Sequence, residues 1–143
     1  MSVTVDANVL LYASDEESRF NQRATELVGE LAAGPGIVHL FWPTVIAYLR
    51  LATHPAVFSR PLPREEAIAN VESLVGLAHI QTPGEVDRFW PTYRDVANDA
   101  DARGNVVSDA HLVALMVQNG VRTIWTHDRD FRRFPQIEVR DPF

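Results

Sequence analysis

Short apolar runs alternate along this chain with longer segments whose apolar residues recur every three or four positions. The short runs are rich in β-branched residues, which is typical of strands. They lie at 3–5, 37–40, 79–81, 123–126 and 137–139, and the run 105–107 is predicted as one further, minimal strand. The longer segments predict helices over 9–13, 18–33, 44–53, 84–101 and 110–117, with another that opens at residue 63.

This alternation predicts an α/β sandwich with a mainly parallel central sheet, because strands that are joined by helices run in the same direction. The chain of 143 residues suits a single domain, 1–143, and its hydrophobic content of 46% is enough for a sizeable core. Ligands of parallel sheets bind outside the carboxyl ends of the strands. Polar residues that follow strands are therefore the first candidates for a functional site.

Three carboxylates follow predicted strands. Asp6 follows the first strand, Asp109 follows the minimal strand, and Asp128 follows the fourth main run. Carboxylates that converge repel one another unless a cation offsets their charge, and Mg²⁺ prefers oxygen ligands. We therefore expect these three residues to bind Mg²⁺, with Mn²⁺ as an alternative, and to act in catalysis. Taken singly, each Asp could instead be a turn former or a helix cap.

Neighbouring polar residues are expected to support such a site. Asn8 could hydrogen-bond a carboxylate or a cation-bound water, or it could cap the helix that follows it. Asp130 is expected either to support the three main carboxylates without binding the first metal ion, or to bind a second metal ion. Ser108 is predicted to cap the next helix, so Asp109 is not needed for capping.

Composition excludes several kinds of function. The formal net charge of −6 disfavours nucleic-acid binding by general charge neutralisation, but a site in which a cation meets the phosphate is exempt. The chain has no cysteine, which excludes disulfides and thiolate chemistry, and all 13 basic residues are arginine. The missing lysine excludes a P-loop and disfavours a phosphatase on a similar sheet. No signal peptide or membrane-spanning run of about 18 apolar residues is visible, so we expect a cytoplasmic protein.

Four stretches resemble the PIN-domain ribonucleases, and within them the toxins of type II toxin–antitoxin pairs, the VapC family. They are DANVLLY (6–12), LRLATHP (49–55), GNVVSDAHL (104–112) and THDRDFRRFP (126–135). The resemblance covers essentially the whole chain. It implies a three-layer α/β/α sandwich, Mg²⁺-dependent endonucleolytic cleavage of RNA, homodimerisation, and inhibition by a cognate antitoxin.

A basic and aromatic stretch follows the last acidic motif. Arg129, Arg132 and Arg133 could contact RNA phosphates while Phe131 and Phe134 stack on bases. The alternative is that the phenylalanines pack inside the protein and the arginines form a solvated face. In either case the arginines lie close in sequence to the expected metal ligands.

One position departs from the family pattern, which has a glutamate where this chain has Tyr48. A tyrosine is a poor Mg²⁺ ligand because its phenol is neutral near pH 7. The departure favours a second interpretation, a catalytically weak or inactive PIN domain that serves as an antitoxin- or RNA-binding module without cutting. The apolar stretch 42–51 around Tyr48 is expected to form a dimer or antitoxin surface.

Overall fold

The computed structural model describes residues 2–143 and contains one sheet of five strands. The strands are β1 (Val3–Val5), β2 (Val38–His39), β3 (Ile80–Gln81), β4 (Thr123–Trp125) and β5 (Glu138–Arg140). Their order in the sheet is β3-β2-β1-β4-β5, and every neighbouring pair is parallel. The prediction of a parallel sheet is confirmed.

Six α-helices and one 3-10 helix connect these strands. The α-helices are α1 (Ala7–Ser14), α2 (Asn21–Ala33), α3 (Trp42–Ala52), α4 (Arg64–Val75), α5 (Phe89–Ala100) and α6 (Val106–Gln118). The 3-10 helix spans Arg129–Arg133. Pro91 lies in the first turn of α5, where its missing amide hydrogen costs no helical hydrogen bond. Within residues 2–143, no helix has the length and apolar character that crossing a membrane requires.

The helices cover both faces of the sheet and enclose two apolar cores. One core packs α1, α2, α3 and α4 against one face, with Val5 and Val38 contributed by the strands. The other core packs α5, α6 and the 3-10 helix against the opposite face, where Ile124 of β4 is fully buried. This arrangement is the expected three-layer α/β/α sandwich.

The predicted minimal strand at 105–107 is wrong, because these residues open α6. Asn105 already has helical backbone angles, and the Val106 and Val107 amides donate to the Arg103 and Gly104 carbonyl oxygens. Two adjacent valines suggested a strand, but Val106 instead packs into the second core. The predicted Ser108 cap is wrong for the same reason, since Ser108 lies inside the first turn of α6.

The order of the strands places the topological switch point of the sheet between β1 and its neighbour β4. The chain builds outward from β1 through β2 to β3 and then returns to add β4 on the other side of β1. Helices that leave two neighbouring strands in opposite directions open a crevice at the strands' carboxyl ends. The Asp6 amide donates to the Trp125 carbonyl oxygen at 3.0 Å, which fastens the ends of β1 and β4 together.

Candidate active site

Asp6 lies where β1 passes into α1 and is held by two hydrogen bonds. As the N-cap residue of α1, it accepts the Ala7 amide through Oδ1 at 2.7 Å. Its Oδ2 accepts the Thr126 hydroxyl at 2.9 Å. Burial raises the pKa of the Asp6 carboxyl; these two hydrogen bonds oppose that rise, and the charge of Asp128 adds to it.

Thr126 is a fully buried residue that connects both halves of the site. Its hydroxyl donates to Asp6 and accepts hydrogen bonds from Asn8 Nδ2 at 3.2 Å and from the Asp128 amide at 3.0 Å. Asn8 also accepts the His127 amide at 3.5 Å, so it ties α1 to the loop after β4. The predicted capping role of Asn8 is wrong, since Asp6 is the cap. We call Asp6, Asn8 and Thr126 the Thr126 hub.

A second group of carboxylates lies at the same end of the sheet, with Asp109 and Asp128 half-buried and Asp130 exposed. Oxygen atoms of Asp109, Asp128 and Asp130 all lie within 4.8 Å of one another, and we call these residues the open carboxylates. Asp109 projects from the first turn of α6. Asp128 caps the 3-10 helix by accepting the Asp130 amide at 2.9 Å, so the two loop carboxylates are held together by their own backbone.

Electrostatic repulsion is strong among these residues. The pKa of the Asp109 carboxyl rises to about 7, first because of burial and then because of the charges of Asp128, Asp6 and Asp130. Arg133 opposes the rise, and its guanidinium lies 4.0 Å from Asp130. A divalent cation would offset this repulsion, and three convergent carboxylates are the oxygen donors that Mg²⁺ takes in proteins.

The structure brings the predicted carboxylates to one end of the sheet, but they form two groups that differ from the expected one. Asp109 and Asp128 converge as expected, but the third oxygen within 4.8 Å belongs to Asp130. Asp6 lies close enough for its charge to raise the pKa of Asp109, while both of its own oxygens accept hydrogen bonds. The orientation of the Asp6 carboxylate is therefore fixed more firmly than that of the other three carboxylates.

The basic stretch beside the site separates into buried and exposed residues. Phe131 and Phe134 are 1% and 2% exposed, so the hypothesis that they stack on bases is wrong and the alternative that they pack is confirmed. Arg129, Arg132 and Arg133 are all exposed on the 3-10 helix. The arginines form a positive surface next to Asp130.

Tyr48 lies in the first core rather than among the carboxylates. Its side chain is 2% exposed, and its hydroxyl shares a hydrogen bond of 2.7 Å with Ser14 and accepts one of 3.0 Å from Asn70. Ser14 is eight residues beyond Asp6 along α1, which corresponds to about 12 Å of helix. Position 48 is thus filled by a packed and hydrogen-bonded side chain.

Comparison with known proteins identifies the class of this chain. The sequence profile of the PIN domain family matches residues 3–137, so the chain belongs to that family. Ribonuclease VapC48 of Mycobacterium tuberculosis is 49% identical over 143 residues, which are 100% of this chain and 99% of that protein. The chain is therefore a VapC-type member of the PIN family.

Solved structures agree with this fold. Mycobacterium tuberculosis VapC20, described as a sarcin–ricin loop cleaving toxin, superposes with a TM-score of 0.67 at 15% identity and covers 94% of this chain and 98% of its own. A toxin–antitoxin complex from Klebsiella pneumoniae gives a TM-score of 0.63 at 13% identity, with coverage of 99% and 98%. The three-layer sandwich is shared although few side chains are.

Proposed function

We propose that this PIN-domain nuclease is a Mg²⁺-dependent endoribonuclease that acts as the toxin of a toxin–antitoxin pair and cuts a structured cellular RNA. The observation that carries the proposal is the convergence of Asp109, Asp128 and Asp130 together with the raised pKa of Asp109. Such a group is unfavourable in the free protein and becomes favourable when a cation binds. The name of its relative in Mycobacterium tuberculosis, a ribonuclease, gives the substrate class.

The residues of the site divide the work. Asp109, Asp128 and Asp130 would provide the oxygen ligands for a divalent cation, Mg²⁺ or Mn²⁺. When bound, that cation would polarise the scissile phosphate and make a water more acidic. Asp6 adds negative charge at the rear of the site, where Thr126 fixes its orientation. Asn8 holds the loop after β4 against α1.

The exposed arginines provide the second element of substrate binding. Arg129, Arg132 and Arg133 lie on the same short helix as Asp130, so an RNA strand that reaches the carboxylates also meets their guanidinium groups. Arginine forks bind phosphate oxygens in pairs and without regard to base sequence. These three residues are therefore proposed as contacts to the RNA backbone.

The partners follow from the charge of the site and from the relatives. A cognate antitoxin is proposed to cover the open carboxylates and to place a cationic side chain between Asp109 and Asp128. Support comes from the toxin–antitoxin complex of Klebsiella pneumoniae, which has this fold. We further propose that the chain acts as one PIN domain, 1–143, that it forms a homodimer, and that it works in the cytoplasm.

The test is cleavage of total cellular RNA by the purified chain, with mapping of the new RNA ends. We expect discrete cuts in Mg²⁺ and none in EDTA. Asp109→Asn should lose the cuts, whereas Asp95→Asn, an exposed aspartate on α5, should keep them and serves as the matched control. Cuts by the wild type that persist in EDTA, or Mg²⁺-dependent cuts that Asp109→Asn retains, would contradict the proposal.

The alternative function is an antitoxin- and RNA-binding module that does not cut, and Tyr48 in place of the family glutamate is the observation in its favour. The two functions differ in one measurement. A module of this kind binds RNA and antitoxin, but neither the wild type nor Asp109→Asn yields new RNA ends in Mg²⁺. Metal-dependent cuts by the wild type alone exclude it.

A further inference from the structure

Four aromatic rings converge beside the loop that joins β4 to the 3-10 helix. Phe143 is the residue that closes the group. Its ring centroid lies 4.7 Å from Phe20, 5.3 Å from Tyr12 and 5.5 Å from His127. Phe20 also lies 4.9 Å from His127. We call these four residues the aromatic clamp. It joins α1, the segment before α2, the β4 loop and the chain beyond β5.

A polar contact between His127 and Asp141 also holds the loop after β4 against the chain beyond β5. His127 Nδ1 lies 2.9 Å from one carboxylate oxygen of Asp141 and 3.1 Å from the other. Because a carboxylate only accepts, the imidazole nitrogen is the donor. Asp141 also accepts the Phe143 amide at 2.9 Å, so residues 141–143 form a turn that places ring and carboxylate on His127 together.

His127 is the residue through which this turn reaches the active site. It stands between Thr126, the centre of the Thr126 hub, and Asp128, one of the open carboxylates. Its amide donates to Asn8 at 3.5 Å, while its ring is held by Asp141 and Phe143. A three-residue loop held at its central side chain has little freedom to move the two residues on either side.

We propose that Asp141 and Phe143 are positioning residues for the cleavage reaction. They hold the His127 ring, and through it they keep Asp128 oriented toward Asp109 and Asp130. The clamp restricts the loop before any ligand binds, so less conformational freedom is lost when the carboxylates take up a cation. This inference rests on the proposed function, because it assigns a role in that same site.

The experiment compares Phe143→Ala and Asp141→Ala with the conservative variants Phe143→Tyr and Asp141→Asn. Trp90→Ala is the matched control, since Trp90 is a 65% exposed aromatic residue on α5 that lies outside the clamp. The first readout is the Mn²⁺ dissociation constant of the protein without RNA, measured by calorimetry. The second is the separation of kcat from KM on an RNA that the wild type cuts, and the third is the melting temperature.

We expect both alanine variants to raise the Mn²⁺ dissociation constant and lower kcat, each by about tenfold, as loss of residues behind metal ligands does. KM should change by less than about twofold, because the clamp is not proposed to contact RNA. Phe143→Tyr keeps the ring and should recover most of the affinity, while Asp141→Asn keeps one acceptor oxygen and should fall between. Trp90→Ala should match the wild type.

Three results would overturn the inference. Lower melting temperatures with unchanged Mn²⁺ affinity and kcat would mean that the clamp only stabilises the fold. A raised KM with unchanged Mn²⁺ affinity would mean that the aromatic rings contact the substrate. If the alanine variants do not fold, Asp141→Asn decides, and Mn²⁺ affinity equal to that of the wild type rejects the role. A wild type that binds no Mn²⁺ and cuts no RNA is a failure of the proposed function itself.

Discussion

The Thr126 hub and the open carboxylates lie side by side at the end of one sheet but differ in how their polar groups are satisfied. In the hub, both oxygens of Asp6 accept hydrogen bonds and the Thr126 hydroxyl makes three. Among the open carboxylates, burial and negative neighbours raise the pKa of Asp109 to about 7. The hydrogen bonds of the hub are complete within the protein, whereas Arg133 only partly offsets the repulsion among the open carboxylates.

This difference shows which part of the site depends on a ligand. The hub holds β1, α1 and the β4 loop together by contacts that need no ion, so its geometry should persist when a cation is removed. The open carboxylates are placed by that framework in an arrangement that their own repulsion opposes. Changes to the open group should therefore affect metal binding and activity, and changes to the hub should affect stability as well.

The largest effect is expected from removing one open carboxylate. Asp109→Asn should reduce Mg²⁺-dependent cleavage by about two orders of magnitude or more, because it removes a ligand and the charge that attracts the cation. The fold should persist, since an uncharged side chain relieves repulsion. Initial rates and circular dichroism on the same preparation test both statements. Retention of more than about a tenth of the wild-type rate would contradict the ligand role.

A carboxylate added at position 48, away from the open carboxylates, should not strengthen Mg²⁺ binding. Tyr48→Glu places a charge in the first core and removes the hydroxyl that bonds Ser14 and Asn70. We expect the free energy of unfolding to fall by about 3 kcal/mol or more, with no gain in Mg²⁺ affinity. Chemical denaturation and the Mg²⁺ dependence of cleavage measure the two effects. A lower half-saturating Mg²⁺ concentration would show instead that position 48 reaches the cation.

Breaking the hub should reduce stability and activity together. Thr126→Val keeps the side-chain volume but leaves Asp6, Asn8 and the Asp128 amide without their common partner. We expect a loss of about 1–3 kcal/mol in the free energy of unfolding and a fall in cleavage rate of about tenfold. Thr123→Val, at a buried threonine within β4, is the control for the introduction of a valine. Equal stability of the two variants would remove the structural role assigned to the Thr126 hydroxyl.

A smaller effect is expected on the pH dependence of stability in the absence of metal. The pKa of Asp109 is raised from 3.8 in a free chain to about 7 in the folded protein, so the folded state binds more protons between these values. Its contribution to stability is therefore complete below pH 3.8 and is lost as the pH rises toward 7. In EDTA, the melting temperature of Asp109→Asn relative to the wild type should increase from pH 4 to pH 7. A constant difference would contradict the raised pKa.

Local sequence patterns predicted much of the fold because they determine local structure directly. The β-branched runs identified all five strands, and Asp6 and Asp128 were recognised because each follows one of them. Asp109 was included for a wrong reason, since the residues before it form helix rather than strand. The pair of valines satisfies both patterns, and only packing against the second core decides between them.

Features that depend on distant residues could not be predicted in this way. Thr126 bonds Asp6 across 120 positions, which requires β1 and β4 to be neighbours. Its local signal was the pair Thr126 and Asp128, a spacing at which a hydroxyl accepts the amide two residues on. The contact between His127 and Asp141 likewise needs β4 beside β5. The family pattern also drew attention to Tyr48 as a lost ligand, although its contacts are with α1 and α4.

The central claim is that the open carboxylates hold a divalent cation, and anomalous X-ray diffraction from crystals grown with Mn²⁺ tests it most directly. The account predicts an anomalous peak within about 2–2.5 Å of oxygen atoms from Asp109, Asp128 and Asp130. The same peak should be absent from crystals of Asp109→Asn, with the Thr126 hub unchanged in both structures. A fully occupied Mn²⁺ peak elsewhere on the protein, with these three carboxylates contacting only water, would contradict the account.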